Sequence, residues 1–189
     1  DKGQVRLLGS YFVPRMGAEG IYVSVFTPIS RFCNAGFDVL SRSPTPFTSF
    51  TAYATDPYPL LVIALLIICG GLGFVVWHDL VEWRRTRHLM LHTKIVLVMT
   101  GLLLIAGTVG IFLMEAQNPD TMAGMPAWQK WLNAFFQSVS ARTAGANTID
   151  CGAMYDTTKL FMSMLMFVGV SSGSTGGGIQ ITTLAVLLV

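Results

Sequence analysis

Charge is what this sequence has least of. Lys, Arg, Asp and Glu make up 12% of its 189 residues and 52% are hydrophobic, where a soluble domain carries about a quarter charged residues. Three stretches hold no formal charge at all: Pro57 to Trp77, Ile95 to Met114, and the thirty residues from Leu160 to Val189. In a soluble protein so short, three such stretches would leave almost no polar shell. About 20 helical residues cross roughly 30 Å of hydrocarbon, so a lipid solvent is the expectation. Cysteine is scarce too. Cys33, Cys69 and Cys151 are odd in number and lack metal-type spacing, which leaves them as small packing residues. His88 and His92 are four apart and would share a helix face, but the glutamate of an HExxH zinc motif is absent, and a solvated cytoplasmic face is expected. The opening DKGQVRLLGS lacks the apolar core of a signal peptide and the chain stops inside an apolar run, so it reads as truncated at both ends.

The charge that is present is informative by its placement. Between the first two apolar stretches lies HDLVEWRRTRHLMLHTK, with Arg84, Arg85, Arg87 and Lys94 close to the helix ends. Positive charge beside membrane spans stays inside, which makes this connection cytoplasmic. The cluster is short, juxtamembrane and without an aromatic platform, so nucleic acid is not its expected partner.

Sliding the sequence along itself aligns Tyr22 with Trp131, Phe26 with Phe135, Ala35 with Ala144 and Gly36 with Gly145. An internal repeat is the simplest explanation. In each copy a short apolar segment, IYVSVFTPISRFC or WLNAFFQSVSAR, runs into a tripeptide ending Ala-Gly, with Asp38 or Asp150 soon after. Roughly 10 to 14 apolar residues are too few to span and suit a re-entrant helix. Each is followed by an apolar run broken by glycine: Gly70, Gly71 and Gly73 in one, Gly173 and Gly176 to Gly178 in the other. The unit is an outer helix, a pore helix, a turn and an inner helix, the first copy lacking its outer helix. A cytoplasmic basic connection makes Pro57–Trp77 run inward and Ile95–Met114 outward, so both short segments enter from the outside. Such a parallel repeat surrounds one axis and suits a pore better than a rocking carrier.

The turns have the chemistry of a cation filter. Neutral backbone carbonyls can replace the water of a dehydrated potassium ion without holding it too tightly to leave. Glycine at Gly36 and Gly145 can adopt angles forbidden to other residues, so that successive carbonyls face one axis. Ala35 and Ala144 are small enough to pack behind such a turn. The preceding helices point their negative ends at the axis. Asp38, Asp150 and Asp156 are candidates to concentrate cations near the outer mouth. A plain turn remains the bland alternative for either tripeptide. In GSTGGGIQITT, Ser, Thr and Gly at mid-membrane depth cannot be helical and face lipid, so their backbone would line a water-filled cavity, with a cytoplasmic linker as the bland alternative.

FCNAGF (Phe32–Phe37), HTK (His92–Lys94), RTAGANTID (Arg142–Asp150) and GSTGGGIQ (Gly173–Gln180) resemble the Trk, Ktr and HKT superfamily of potassium transporters, most closely its bacterial KtrB membrane subunits. The resemblance implies an all-α integral membrane fold of four pore-loop repeats, of which about two are present. Residues 1–91 correspond to the second repeat without its outer helix, plus the cytoplasmic connection, and 92–189 to the third. It implies filter segments Asn34, Ala35, Gly36, Phe37 and Thr143, Ala144, Gly145, Ala146. Potassium would be held by the carbonyls of Asn34, Ala35, Gly36, Thr143, Ala144 and Gly145. An intramembrane loop at about 170–178, with Gly173, Ser174, Thr175, Gly176, Gly177 and Gly178, would act as a gate beneath the filter. Four positions depart from the family pattern: Arg31 stands where a small residue is usual, Ala146 where an aromatic is, Ser172 where proline is common and Gln180 where lysine is.

The expected function is therefore a potassium-selective uptake subunit of the plasma membrane, multi-pass and passive. It would not be an enzyme: no residue need do covalent chemistry and no covalent cofactor is expected. By resemblance, potassium occupies the pore, sodium modulates transport, and the partners are the bilayer, a second copy in a homodimer and a cytosolic ring of nucleotide-binding Ktr subunits. A sodium- or proton-coupled potassium carrier is the main alternative, and a non-conducting assembly subunit with degenerate turns the third.

Overall fold

The computed structural model describes residues 2–37, 50, 51, 54–142, 144–171, 173, 174 and 176–183. Among the described residues there are seven helices: α1 (Lys2–Met16), α2 (Ala18–Phe32), α3 (Pro57–Gly71), α4 (Phe74–Thr86), α5 (Leu91–Glu115), α6 (Ala127–Ser140) and α7 (Asp156–Phe167). They contain no strand; Val168 and Ile179 form an isolated parallel bridge. The two short helices expected from the repeat are α2 and α6, of 15 and 14 residues. Each begins a few residues before its apolar segment. Residues 2–16, to which no element is assigned in the sequence, form α1, and its Leu8 and Phe12 are fully buried.

Helix α5 shows the solvent for which the fold is built. Its 25 residues reach about 37 Å, and among the described residues it is the one helix long and apolar enough to cross a bilayer by itself. Val98, Leu102, Ile105, Val109 and Leu113, at helical spacing, are exposed, while Thr93, Thr100 and Thr108 on other faces are buried. Apolar outside and polar inside is costly in water and favourable in lipid, where helices associate through small residues and internal hydrogen bonds. Thr108 Oγ1 donates to the Leu104 carbonyl at 2.6 Å, and Ser138 Oγ of α6 donates to the same oxygen at 3.1 Å.

The first apolar run does not cross as one helix. It breaks at Leu72–Gly73, and α3 and α4 meet at 95°. Fifteen residues carry α3 only about 22 Å. Gly73, with φ +83°, makes the corner, and Trp77 Nε1 donates back to the Cys69 carbonyl at 2.8 Å. The basic residues sit exposed along and after α4. Arg87 terminates that helix with φ +57°, and the buried Asp79 carboxylate accepts the Met90 N–H at 2.9 Å, tying α4 to the residue before α5. The chain is therefore non-helical from 87 to 90, and His88 and His92 do not share a helix face: one lies in the link, the other in α5.

Helix α6 stands at the centre. On one side it joins a core with α1, α2 and α3, including Phe12, Val23, Ile63, Ile67 and Phe136. On the other it packs with α5 and α7 through Ala134, Ile111 and Met162. Glu115, at the end of α5, is fully buried, yet each oxygen is satisfied. Tyr155 N–H donates to Oε1 at 2.9 Å, and Asn118 Nδ2 and Thr121 Oγ1 donate to Oε2 at 2.7 Å each. This carboxylate fastens the outer connections around α6.

Candidate functional site

Both expected turns leave a helix end in the same manner. After α2, Cys33 N–H donates to the Ile29 carbonyl and Ala35 N–H to the Ser30 carbonyl, each at 2.9 Å. After α6, Ala141 N–H reaches the Gln137 carbonyl at 2.9 Å and Ala144 N–H the Ser140 carbonyl at 3.1 Å. Gly36 and Gly145 then turn left-handed, with φ +71° and +61°, and Asn34 has φ +49°. A serine from the last helical turn latches each loop. Ser30 Oγ donates to the Phe37 carbonyl at 3.3 Å; Ser140 Oγ donates to the Ala146 carbonyl and accepts the Ala146 N–H at 2.8 Å.

The two turns meet. A Cβ placed on Gly145 would lie 3.3 Å from the Gly36 Cα, and one placed on Gly36 would lie 3.6 Å from the Ala144 carbonyl oxygen. Ala144 and Ala146 are fully buried behind the second turn, against the core that α3 completes. Ala35 was expected to pack in the same way, but it is exposed, and Phe37 is 66% exposed: the described residues cover only one of the two turns. Thr143 lies outside the described residues, as do Asp38, Ser172 and Thr175.

Of the carbonyls expected to hold potassium, those of Asn34, Ala35, Gly36 and Gly145 accept no hydrogen bond among the described residues. Ala144 differs: its carbonyl accepts Arg31 Nη1 at 2.9 Å. Arg31 is 1% exposed, and its guanidinium carbon stands 5.3 Å from the centre of the Phe50 ring. Ser30, Ser140 and Phe50 carry no sequence signal that separates them from ordinary helix and loop residues. Arg31 does, as a long charged side chain where the family pattern has a small one.

Beside the second turn lies a cavity of about 600 Å³ lined by residues including Asp120, Thr121, Asn147, Thr148 and Asp150. Asp150 is among its lining residues, a few positions after the turn. Asp156 is not among the lining residues. It is exposed at the start of α7 and pairs with Lys159 at 3.3 Å.

Helix α7 ends at Phe167, and the described residues of the stretch that follows, 168–171, 173, 174 and 176–180, which include Gly173, Ser174, Gly176, Gly177 and Gly178, are not helical. The segment closes on itself through Ile179 N–H to the Phe167 carbonyl and Gly169 N–H to the Ile179 carbonyl, both at 3.0 Å. It docks on the corner between α3 and α4. Ser171 N–H donates to the Gly71 carbonyl at 3.2 Å, and Phe74 N–H donates to the Gly173 carbonyl at 3.3 Å. The glycine breaks of the two copies are therefore in contact, which neither break reveals by itself.

A helical fold with an apolar spanning face on α5 and two short helices ending in apposed glycine turns is that of an all-α membrane protein. Residues 10–189 match the TrkH family, described as cation transport protein, and the chain belongs to that family. It is 44% identical to the Ktr system potassium uptake protein B of Vibrio alginolyticus over 93% of this chain and 38% of that one. It is 41% identical to the potassium/sodium uptake protein NtpJ of Enterococcus hirae over 96% of this chain and 39% of that one. The crystal structure of the potassium transporter TrkH from Vibrio parahaemolyticus superposes with a TM-score of 0.72 at 17% identity, covering 99% of this chain and 38% of that one. The chain thus spans about two fifths of the length of these relatives.

Proposed function

We propose that the chain forms part of a potassium uptake pathway of the plasma membrane, in which ions pass passively through a filter of backbone carbonyls. The observation that carries this reading is the apposition of Gly36 and Gly145, two left-handed turns at helix C-termini, with four carbonyls unengaged by any donor among the described residues. Helix C-termini carry partial negative charge, which favours a cation at the turns. Carbonyl oxygens supply the neutral ligands that a dehydrated potassium ion needs. The loop after α7 suits a gate, because the non-helical backbone of its described residues is held against the α3–α4 corner by two hydrogen bonds rather than by a continuous helix. The names of the relatives support potassium as the ion. By the same likeness, the complete protein would be a multi-pass homodimer regulated by a cytosolic nucleotide-binding ring, with sodium as a modulator.

Electrical recording from the full-length protein in a planar bilayer tests the reading. Unitary currents that carry many potassium ions per opening, without a sodium or proton gradient, are expected. Movement of potassium only in fixed ratio with sodium or protons would replace the channel by a coupled carrier.

A further inference from the structure

We propose that Arg31 is a positioning residue that sets discrimination between potassium and sodium, by fixing the Ala144 carbonyl across the boundary between the two turns. The proposal rests on the reading of these turns as a filter. Arg31 belongs to the last turn of α2, yet its Nη1 reaches 113 residues along the chain to the Ala144 oxygen at 2.9 Å. The guanidinium is clamped from a second direction by the Phe50 ring. Phe50 is itself hung from the second turn: its N–H donates to the Asn147 carbonyl at 2.9 Å, and its ring stands 6.3 Å from that of Phe136 on α6. Arg31 is therefore held between a carbonyl of the second turn and a ring anchored just after it. The bond couples the second turn to Arg31, and Arg31 belongs to the helix that ends in the first turn.

The consequence for ions follows from what a carbonyl oxygen can do. It has two lone pairs, so a donor on one leaves the other for a cation. A charge-assisted hydrogen bond in a buried place fixes the oxygen more firmly than a neutral one. Sodium is smaller than potassium and needs its ligands to close in. An oxygen tied to Arg31 resists closing in, while potassium needs no such movement. A guanidinium that only packed α2 against the second turn would instead affect folding, and would change the passage of both ions together.

The test uses full-length protein in proteoliposomes and reads the potassium-to-sodium permeability ratio from reversal potentials, with rubidium uptake as the rate. Arg31→Met is expected to lower the ratio about tenfold, the low end of what a hydrogen bond to a charged group is worth. Arg31→Lys keeps a charged donor on a flexible stem and is expected to restore the ratio to within about threefold of the parent. An Arg31→Met protein that discriminates like the parent overturns the proposal, as does one in which only the rates of both ions fall in parallel. If Arg31→Met does not reach the membrane folded, Phe50→Leu decides. It retains Arg31 and removes its aromatic platform, and a fall of about threefold is expected from the loss of a cation–π contact; an unchanged ratio overturns the proposal. Gly145→Ala separates the two ideas. If it leaves uptake and ratio untouched, the filter reading fails, whereas sensitivity at Gly145 with indifference at Arg31 removes only the role of Arg31.

Discussion

Adding one methyl group to each glycine turn distinguishes the two glycines quantitatively. Both have left-handed backbones, with φ +71° at Gly36 and +61° at Gly145, so alanine at either costs about 1–2 kcal/mol. The surroundings then separate them. At Gly36 the new Cβ meets the Ala144 oxygen at 3.6 Å, an ordinary contact. At Gly145 it meets the Gly36 Cα at 3.3 Å, and because that neighbour is backbone, the opposite turn must give way by a few tenths of an ångström. Gly145 is exposed, so the neighbouring turn is not locked in a core, and the contact adds about 1 kcal/mol, the low end of overpacking costs. Gly145→Ala should therefore disturb the pair of turns more than Gly36→Ala by that amount, or about fivefold in the population of the undisturbed arrangement. Rubidium uptake by the full-length variants, in cells without other potassium uptake and normalised to membrane protein, should fall in that order. Equal effects, or a larger loss at Gly36, would refute the contact argument; no loss at either would refute the filter.

Two further substitutions probe the frame around the turns. A Cβ on Gly70 would overlap the Phe32 carbonyl oxygen at the end of α2. Gly70→Ala is expected to push α3 from α2 at a cost of about 1–3 kcal/mol and lower the melting temperature of the detergent-solubilised protein. Gly101→Ala, which meets nothing within 4 Å, should leave it unchanged or raise it. Glu115→Gln turns an acceptor into a donor that faces Tyr155 N–H or Asn118 Nδ2, and is expected to cost about 1–3 kcal/mol. That loss should show as a lower melting temperature without a change in ion ratio, and an unshifted melting curve would contradict the clamp.

The sequence by itself determined the lipid solvent, the helical class and the two short helices ending in glycine turns. These follow from composition within a few residues: uncharged runs, segments too short to span, and a residue without Cβ at each tip. The non-helical stretch at 168–180 was legible for the same reason, since Ser, Thr and Gly crowd it. Only the tertiary structure decided that the turns touch, that the glycine breaks of the two copies dock on one another, and that α3 and α4 meet at 95° rather than continuing. It also decided the place of α1, whose sequence contains Gly9 and Pro14 and shows no clear apolar stripe, and the separation of His88 from His92 by a helix boundary. Arg31 shows the division most clearly. Its oddity can be read from one position, but its partner is 113 residues away. A contact at that separation is fixed by how α2 and α6 both pack against α3, and no local property of residue 31 contains it.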